Sequence, residues 1–250
     1  MTYFNMAIGT YDLVAENKCQ EVAEEIVNIL LDGGGDVHAM AIGRGTPLSA
    51  AVKIKSNHAA RIRITRLLLE KGADPNQIVV NESVPGIRNE GLILPTACAD
   101  VLGEYTEADR LEVVQLLLDY GADPGKFITM NIRGETCNTI HIVVSRKQDD
   151  VLRILLSCEK GRAAVNAKRL EKVQYPGENN GNGETAITMC VAGDDLEQYK
   201  ESRDIAVQLL RAGADIDIED HIGLSASMWL TDRHPEKPHA KRKQINLMSL

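Results

Sequence analysis

Aromatic side chains are scarce in this chain, at 4% of 250 residues, with one Trp and two Phe. A core must then be assembled from Leu, Ile, Val and Ala, which suits close-packed helices better than a β-sandwich. A basic excess is also missing, since the formal net charge is -8 at pH 7. Nothing in the bulk electrostatics invites a phosphate backbone or an anionic surface, so no nucleic-acid partner is expected. No window approaches the roughly 20 apolar residues of a bilayer span, and Met1 to Lys18 lacks the basic-then-apolar order of a secretory signal. Neither membrane insertion nor export is expected. Cysteine pairs at metal or redox spacing are absent too, because Cys19, Cys98, Cys137, Cys158 and Cys190 are widely scattered. An odd number cannot all pair within one chain, which predicts reduced thiols in an intracellular compartment, the cytoplasm or the nucleus. Each lies near an apolar helical stretch and is read as a small buried hydrophobe rather than a nucleophile.

The signatures of catalysis are missing as well. The chain has no G-x-x-x-x-G-K-[ST] phosphate loop, no G-x-S-x-G elbow and no H-E-x-x-H helix. Gly33-Gly34-Gly35 follows an apolar helical run rather than preceding one, which makes it a turn. His38, His58, His141, His221, His234 and His239 are too dispersed for a ligand set. Acidic clusters such as Asp149-Asp150 and Asp194-Asp195-Leu196-Glu197 read as solvated loop residues. A non-enzymatic chain with no cofactor, no metal and no small-molecule substrate is the expectation.

What the chain does have is a repeated phrase. Ile29 to Val37, Leu67 to Asn76, Leu116 to Pro124 and Leu209 to Asp217 each run from a Leu-rich segment through Gly to Asp, and a degenerate copy runs from Ile154 to Lys168. The Leu run closes an amphipathic helix, with Val113, Val114, Leu116 and Leu117 at neighbouring helical positions. Gly sits where a helix end needs a left-handed residue, and Ala-Asp suits the tight turn that follows. A second phrase opens each unit at Gly45 to Ala51, Gly91 to Cys98, Asn138 to Val143 and Gly183 to Cys190. In the best-formed copy Thr46 is placed as an N-cap and Pro47 in the first turn, where a missing N–H costs nothing. Each unit is thus a helix pair followed by a turn.

These two phrases resemble those of the ankyrin repeat, Thr-Pro-Leu-His-x-Ala and Leu-Leu-Leu-x-x-Gly-Ala-Asp-x-Asn, most closely at Thr46-Pro47-Leu48 and Leu67 to Asn76. The resemblance covers about Glu16 to Leu230. It implies an all-α repeat solenoid, a curved array over residues 1–231 with about five units and a partial C-terminal cap beginning near Gly223. Residues 232–250 then form a basic, Pro-containing tail. The departures are that the family's His occurs only as His141, Thr-Pro is intact once, and the fourth unit has lost Gly-Ala-Asp. They predict turn hydrogen bonding that differs from the family's ideal.

Successive turn glycines, Gly34, Gly72, Gly121, Gly161 and Gly213, stand 38, 49, 40 and 52 residues apart, against a family period of about 33. Periods near 40 to 47 belong to HEAT and armadillo arrays, but those do not end each pair in Gly-Ala-Asp. Some of the surplus lies between the helices of a pair, at Val52 to Arg63, Asp100 to Arg110 and Ala192 to Arg203. The rest elongates the connecting hairpins at Gln77 to Glu90, Gly125 to Cys137 and Lys168 to Asn182. Those hairpins carry apolar residues that a neutral insertion does not need. Ile78, Val80, Phe127, Met130 and Tyr175 are the candidate contact residues, with Arg88 and Arg133 as rim donors.

The resemblance implies a non-catalytic scaffold or adaptor that binds a protein partner through hairpin tips and the concave inner-helix face. The alternatives are a structural subunit of a stable multiprotein assembly, with its hairpins buried against neighbours, and the targeting module of a larger enzyme or effector.

Overall fold

The computed structural model describes residues 17–40, 45–54, 58–84, 87–98, 106–130, 135–170, 183–192 and 199–230. It is mostly helical, as expected, and its contacts divide it into two compact units. The N-terminal unit is Met1–Asp123 with Ile128–Ile132, and the C-terminal unit is Pro124–Phe127 with Arg133–Leu250.

In the N-terminal unit α1 (Asn17–Asp32) precedes the pair α2 (Pro47–Ala51) and α3 (His58–Glu70), then the pair α4 (Ile93–Cys98) and α5 (Glu107–Asp119). The short helices α2 and α4 pack on one another, and the long helices α1, α3 and α5 pack in sequence. Thr46 caps α2 as the sequence predicts, its hydroxyl accepting from Ser49 N at 3.2 Å, with Pro47 in the first turn. Thr106 caps α5 through a reciprocal pair with Asp109 at 3.2 Å each way, so the polar segment before it ends at a defined helix start. Leu48, Ile64, Leu68, Ile93, Leu94, Val113 and Leu117 fill the core between them. Burying side chains of this size contributes about 1.5–3 kcal/mol apiece. The long helices are also tied by polar contacts. His58 Nε2 lies 2.8 Å from Glu112 and 3.2 Å from Asp109, and buried Arg61 donates to the Asp109 carbonyl at 2.8 Å.

The hairpin from Gln77 to Glu90 is a β-ribbon. β1 (Val79–Val84) runs antiparallel to β2 (Ile87–Gly91), pairing Val79 with Gly91 and Val80 with Glu90, with an irregularity after Asn81. β3 (Ile128–Met130) lies beside β2. The elongated connection is therefore paired backbone, not loose chain.

In the C-terminal unit β4 (Glu135–Cys137) leads into the pair α6 (Thr139–Ser145) and α7 (Asp149–Ser157), then α8 (Glu159–Ala163), the pair α9 (Ala186–Val191) and α10 (Tyr199–Arg211), and α11 (Ala226–Leu230). Helices α6, α9 and α11 pack in one row and α7 and α10 in another. Ile140, Val143, Val151, Leu152, Leu155, Ile187, Ile205 and Leu209 are their buried faces. The short helix α11 follows the left-handed Gly223. The tail from residue 232 onward lies outside the described residues.

At α1, α3, α5 and α10 the glycine after the Leu run takes the predicted left-handed conformation, with φ between +83° and +95° at Gly34, Gly72, Gly121 and Gly213. Each closes a Schellman turn, as where Gly72 N reaches Leu69 O at 3.0 Å and Ala73 N reaches Leu68 O at 2.9 Å. Gly161 corrects the sequence reading, because it is not a turn glycine. It lies inside α8 and is buried against the Leu155 carbonyl, where any Cβ would collide with that oxygen. The C-terminal carbonyls of α7 are satisfied by a side chain instead, with Arg162 Nη1 donating to Leu156 O at 3.1 Å and Ser157 O at 2.6 Å.

Two of the turns are tied to the next one by an asparagine side chain. In the N-terminal unit the Asn76 side chain donates to Gly121 O at 3.0 Å and accepts from Asp123 N at 2.7 Å, clamping one turn to the next. In the C-terminal unit Asn166 makes the same pair, to Gly213 O at 3.0 Å and from Asp215 N at 2.8 Å. The degenerate unit has lost its Gly-Ala-Asp and kept the residue that reaches its neighbour.

Candidate interaction surface

Two of the turns are clamped, and the position four residues after the turn Asp recurs along the sequence. Its occupants are Met40, Ile78 and Phe127, then Lys168 in the degenerate unit, counted from Asn166, and Glu219. In the N-terminal unit Met40 is 45% and Ile78 36% exposed. Their hairpins are joined where Gln77 Nε2 donates to His38 O at 3.4 Å. Large apolar side chains held this open on rigid turns are the kind of feature that contact surfaces use.

In the C-terminal unit Phe127 is 41% exposed, its ring centroid 6.4 Å from that of His141 in a tilted arrangement. The same unit contains a small β-arrangement. Thr136 and Leu170 exchange backbone bonds at 2.6 and 3.0 Å, while Arg169 N donates to Glu184 O at 2.8 Å and Gly183 N to Arg169 O at 2.6 Å. Segment 168–170 is thus bonded on both sides, and Leu170 remains 51% exposed. Further along the unit, Ile222 is 45% exposed. Lys168 Nζ donates to Glu219 O at 2.8 Å, which joins the two charged occupants of the recurring position.

Of the sequence-predicted contact residues, Ile78 and Phe127 are therefore exposed on hairpin bases. Val80 and Met130 lie in β1 and β3, and Arg88 in β2, on backbone that is described, but their side chains lie outside the described residues. Arg133 and Tyr175 lie outside them entirely. Met40, Leu170 and Ile222 escaped sequence reading. Aligning the units on the turn Asp puts Met40 in register with Ile78 and Phe127, and that register was the available signal.

His141 is 2% exposed and fully committed to structure. Its Nδ1 accepts from Asn138 N at 3.3 Å and its Nε2 donates to Ala167 O at 3.0 Å, while the Asn138 side chain accepts from His141 N at 3.1 Å. Burial pushes its pKa down to about 4 from an ordinary 6.5, against the opposing pull of the Ala167 carbonyl. None of the described Cys98, Cys137, Cys158 and Cys190 is in a disulfide, and burial pushes the Cys190 thiol up to about 12, leaving it protonated and unreactive at neutral pH. Among the described residues no group of three or more His, Cys, Asp or Glu side chains is placed to hold a metal ion. No described helix is long and apolar enough to cross a membrane.

No curated protein matches the chain significantly. Solved structures do. The ankyrin repeat domain of Bcl-3, a member of the IkappaB protein family, is similar with a TM-score of 0.58 and 19% identity, over 93% of this chain and 81% of that one. A second ankyrin repeat protein gives 0.56 and 22%, over 90% and 92%. An ankyrin repeat domain from Acinetobacter baumannii AYE gives 0.55 and 18%, over 89% and 90%. The family model of the ankyrin repeat matches residues 45–79, from the Thr46 cap to the start of β1. The chain thus contains an ankyrin repeat at residues 45–79 and has the ankyrin repeat fold throughout the helix pairs described above.

Proposed function

We propose that this chain is a non-catalytic scaffold or adaptor that binds a protein partner through its hairpin bases. Ankyrin repeats are generally protein–protein interaction modules, which supports the coarse reading. The observation that carries the finer one is the recurrence of exposed Met40, Ile78 and Phe127 at one register position. A monomer gains nothing by holding large apolar groups in water at its most rigid turns, whereas a partner can cover them. The partner is a protein, not a nucleic acid, in keeping with the net charge of -8. The site of action is the reducing interior of a cell, cytoplasm or nucleus, in keeping with described cysteines that stand outside disulfides.

The test is affinity capture with the intact chain and with Ile78→Ser and Phe127→Ser variants, followed by quantitative mass spectrometry. A protein captured by the parent and lost by the variants supports docking on the hairpin bases. Capture that is indifferent to both substitutions contradicts it and transfers the search to the inner helices. A co-purifying complex of fixed stoichiometry that persists in high salt favours the structural-subunit reading.

A further inference from the structure

At the third position of its first turn α6 carries His141, where α2 carries Ser49 and α9 carries Thr188. There the turn is closed by a hydroxyl, Thr46 accepting from Ser49 N at 3.2 Å and Thr185 from Thr188 N at 3.4 Å. None of these changes charge with pH. His141 does, and its two ring nitrogens are used in opposite senses, one accepting from Asn138 N and the other donating to Ala167 O. A ring that carries a proton on both nitrogens cannot accept from Asn138, so the imidazolium and the observed geometry are incompatible.

We propose that His141 is an acid-sensitive latch confined to the C-terminal unit. Its protonation undoes the first turn of α6 and the bond that holds the Ala167 to Leu170 segment against it. The surroundings oppose the charged ring. The Arg169 guanidinium faces it from the 168–170 segment, and that cation is itself held by Glu184 at 3.2 Å from the approach to α9. Glu184 is half-buried, and burial raises its carboxyl above the usual range against the pull of Arg169, so acid weakens this neighbouring pair as well. Asp220 and His221 lie near Glu184 and complete the titratable set on that side. The Phe127 ring, its centroid 6.4 Å from that of His141, offers no acceptor.

The sign follows from the shift. A folded pKa of about 4, below an ordinary 6.5, means that the latch contributes in full above pH 6.5 and is lost as pH falls from there toward 4. At pH 5 the population with the latch open rises about 25-fold over that at pH 7.5. As regulation of binding, the device rests on the reading of Phe127 as a contact residue. The latch itself does not.

Amide hydrogen exchange on the intact chain at pH 7.5 and 5.0, corrected for intrinsic rates, tests it without any partner. Protection at Asn138, Arg169 and Leu170 is expected to fall by at least about 10-fold, whereas Ala73, Asn76 and Asp123 in the N-terminal unit keep theirs. The His141 ring signal should titrate below pH 5, and His141→Gln should abolish the difference between the two pH values. Equal loss in both units, no loss in either, or a ring titrating near 6.5 with the amides unaffected would overturn the latch. If the latch holds and Phe127→Ser leaves partner capture intact, the contact reading fails and the latch survives it.

Discussion

The two units answer the same structural demand with different residues. In the N-terminal unit each long helix ends in a Leu-rich run followed by a left-handed glycine, as at Gly34, Gly72 and Gly121. In the C-terminal unit α7 ends instead on Cys158 in an extended conformation, with the Arg162 guanidinium covering the orphan carbonyls and Gly161 kept only for a close backbone approach. The inner helix α6 ends on Lys147 at φ +57°, a left-handed position without glycine. What both units retain is the asparagine clamp, Asn76 in one and Asn166 in the other. The comparison teaches that a left-handed glycine is one of several ways to end a helix, whereas joining one turn to the next needs a side chain that both donates and accepts.

The largest expected effect tests whether packing in the middle of a unit outweighs packing at its end. Leu117 is fully buried in α5, and Leu117→Ala should cost about 2–5 kcal/mol in urea unfolding through the cavity it leaves. Leu30→Ala, on the half-buried flank of α1, should cost about 1 kcal/mol and loosen the N-terminal end alone by hydrogen exchange. Identical, fully cooperative losses in both variants would argue against nearest-neighbour stacking.

Next in size is the contrast between two glycines. Nothing lies within 4 Å of a Cβ built at Gly121, and its φ of +87° is one that Asn tolerates, so Gly121→Asn should cost less than about 1 kcal/mol. At Gly161 any Cβ meets the Leu155 carbonyl, so Gly161→Asn should cost about 1–3 kcal/mol or more through backbone displacement. Thermal unfolding of the pair separates them, and equal costs would mean that Gly161 is a conformational glycine after all.

Smaller again are the clamps. Asn76→Ala and Asn166→Ala each remove one donor and one acceptor from a neighbouring turn, worth about 1–2 kcal/mol apiece. If only Asn76→Ala is destabilising, the degenerate unit relies on its Arg162 cap alone and the two units are less alike than their geometry indicates.

Local signals carried most of the fold. The Thr46 cap, the Pro47 first turn and the glycines after α1, α3, α5 and α10 are each dictated by neighbours within a few residues, and they stand where the sequence placed them. Gly161 was misread because only its partner, the Leu155 carbonyl, distinguishes a close-approach glycine from a turn glycine, and that partner is set by the α7 to α8 bend. The clamps escaped because their ends lie 45 to 49 residues apart. Of the proposed contact residues, Ile78 and Phe127 stand out in the sequence as apolar residues in loops, and both are exposed. Met40 does not, because it sits in a hairpin of ordinary length where no insertion draws attention to it.

The central claim is that exposed hairpin-base residues are there for a partner and not for the stack, and Phe127 tests it most directly. Phe127→Ala should leave the melting temperature nearly unchanged, since the ring is 41% exposed, and should weaken binding of the captured partner by at least about 1 kcal/mol in titration calorimetry. A lowered melting temperature with undiminished affinity would contradict it, showing that Phe127 serves to cover His141 and that the hairpin folds back on its own unit.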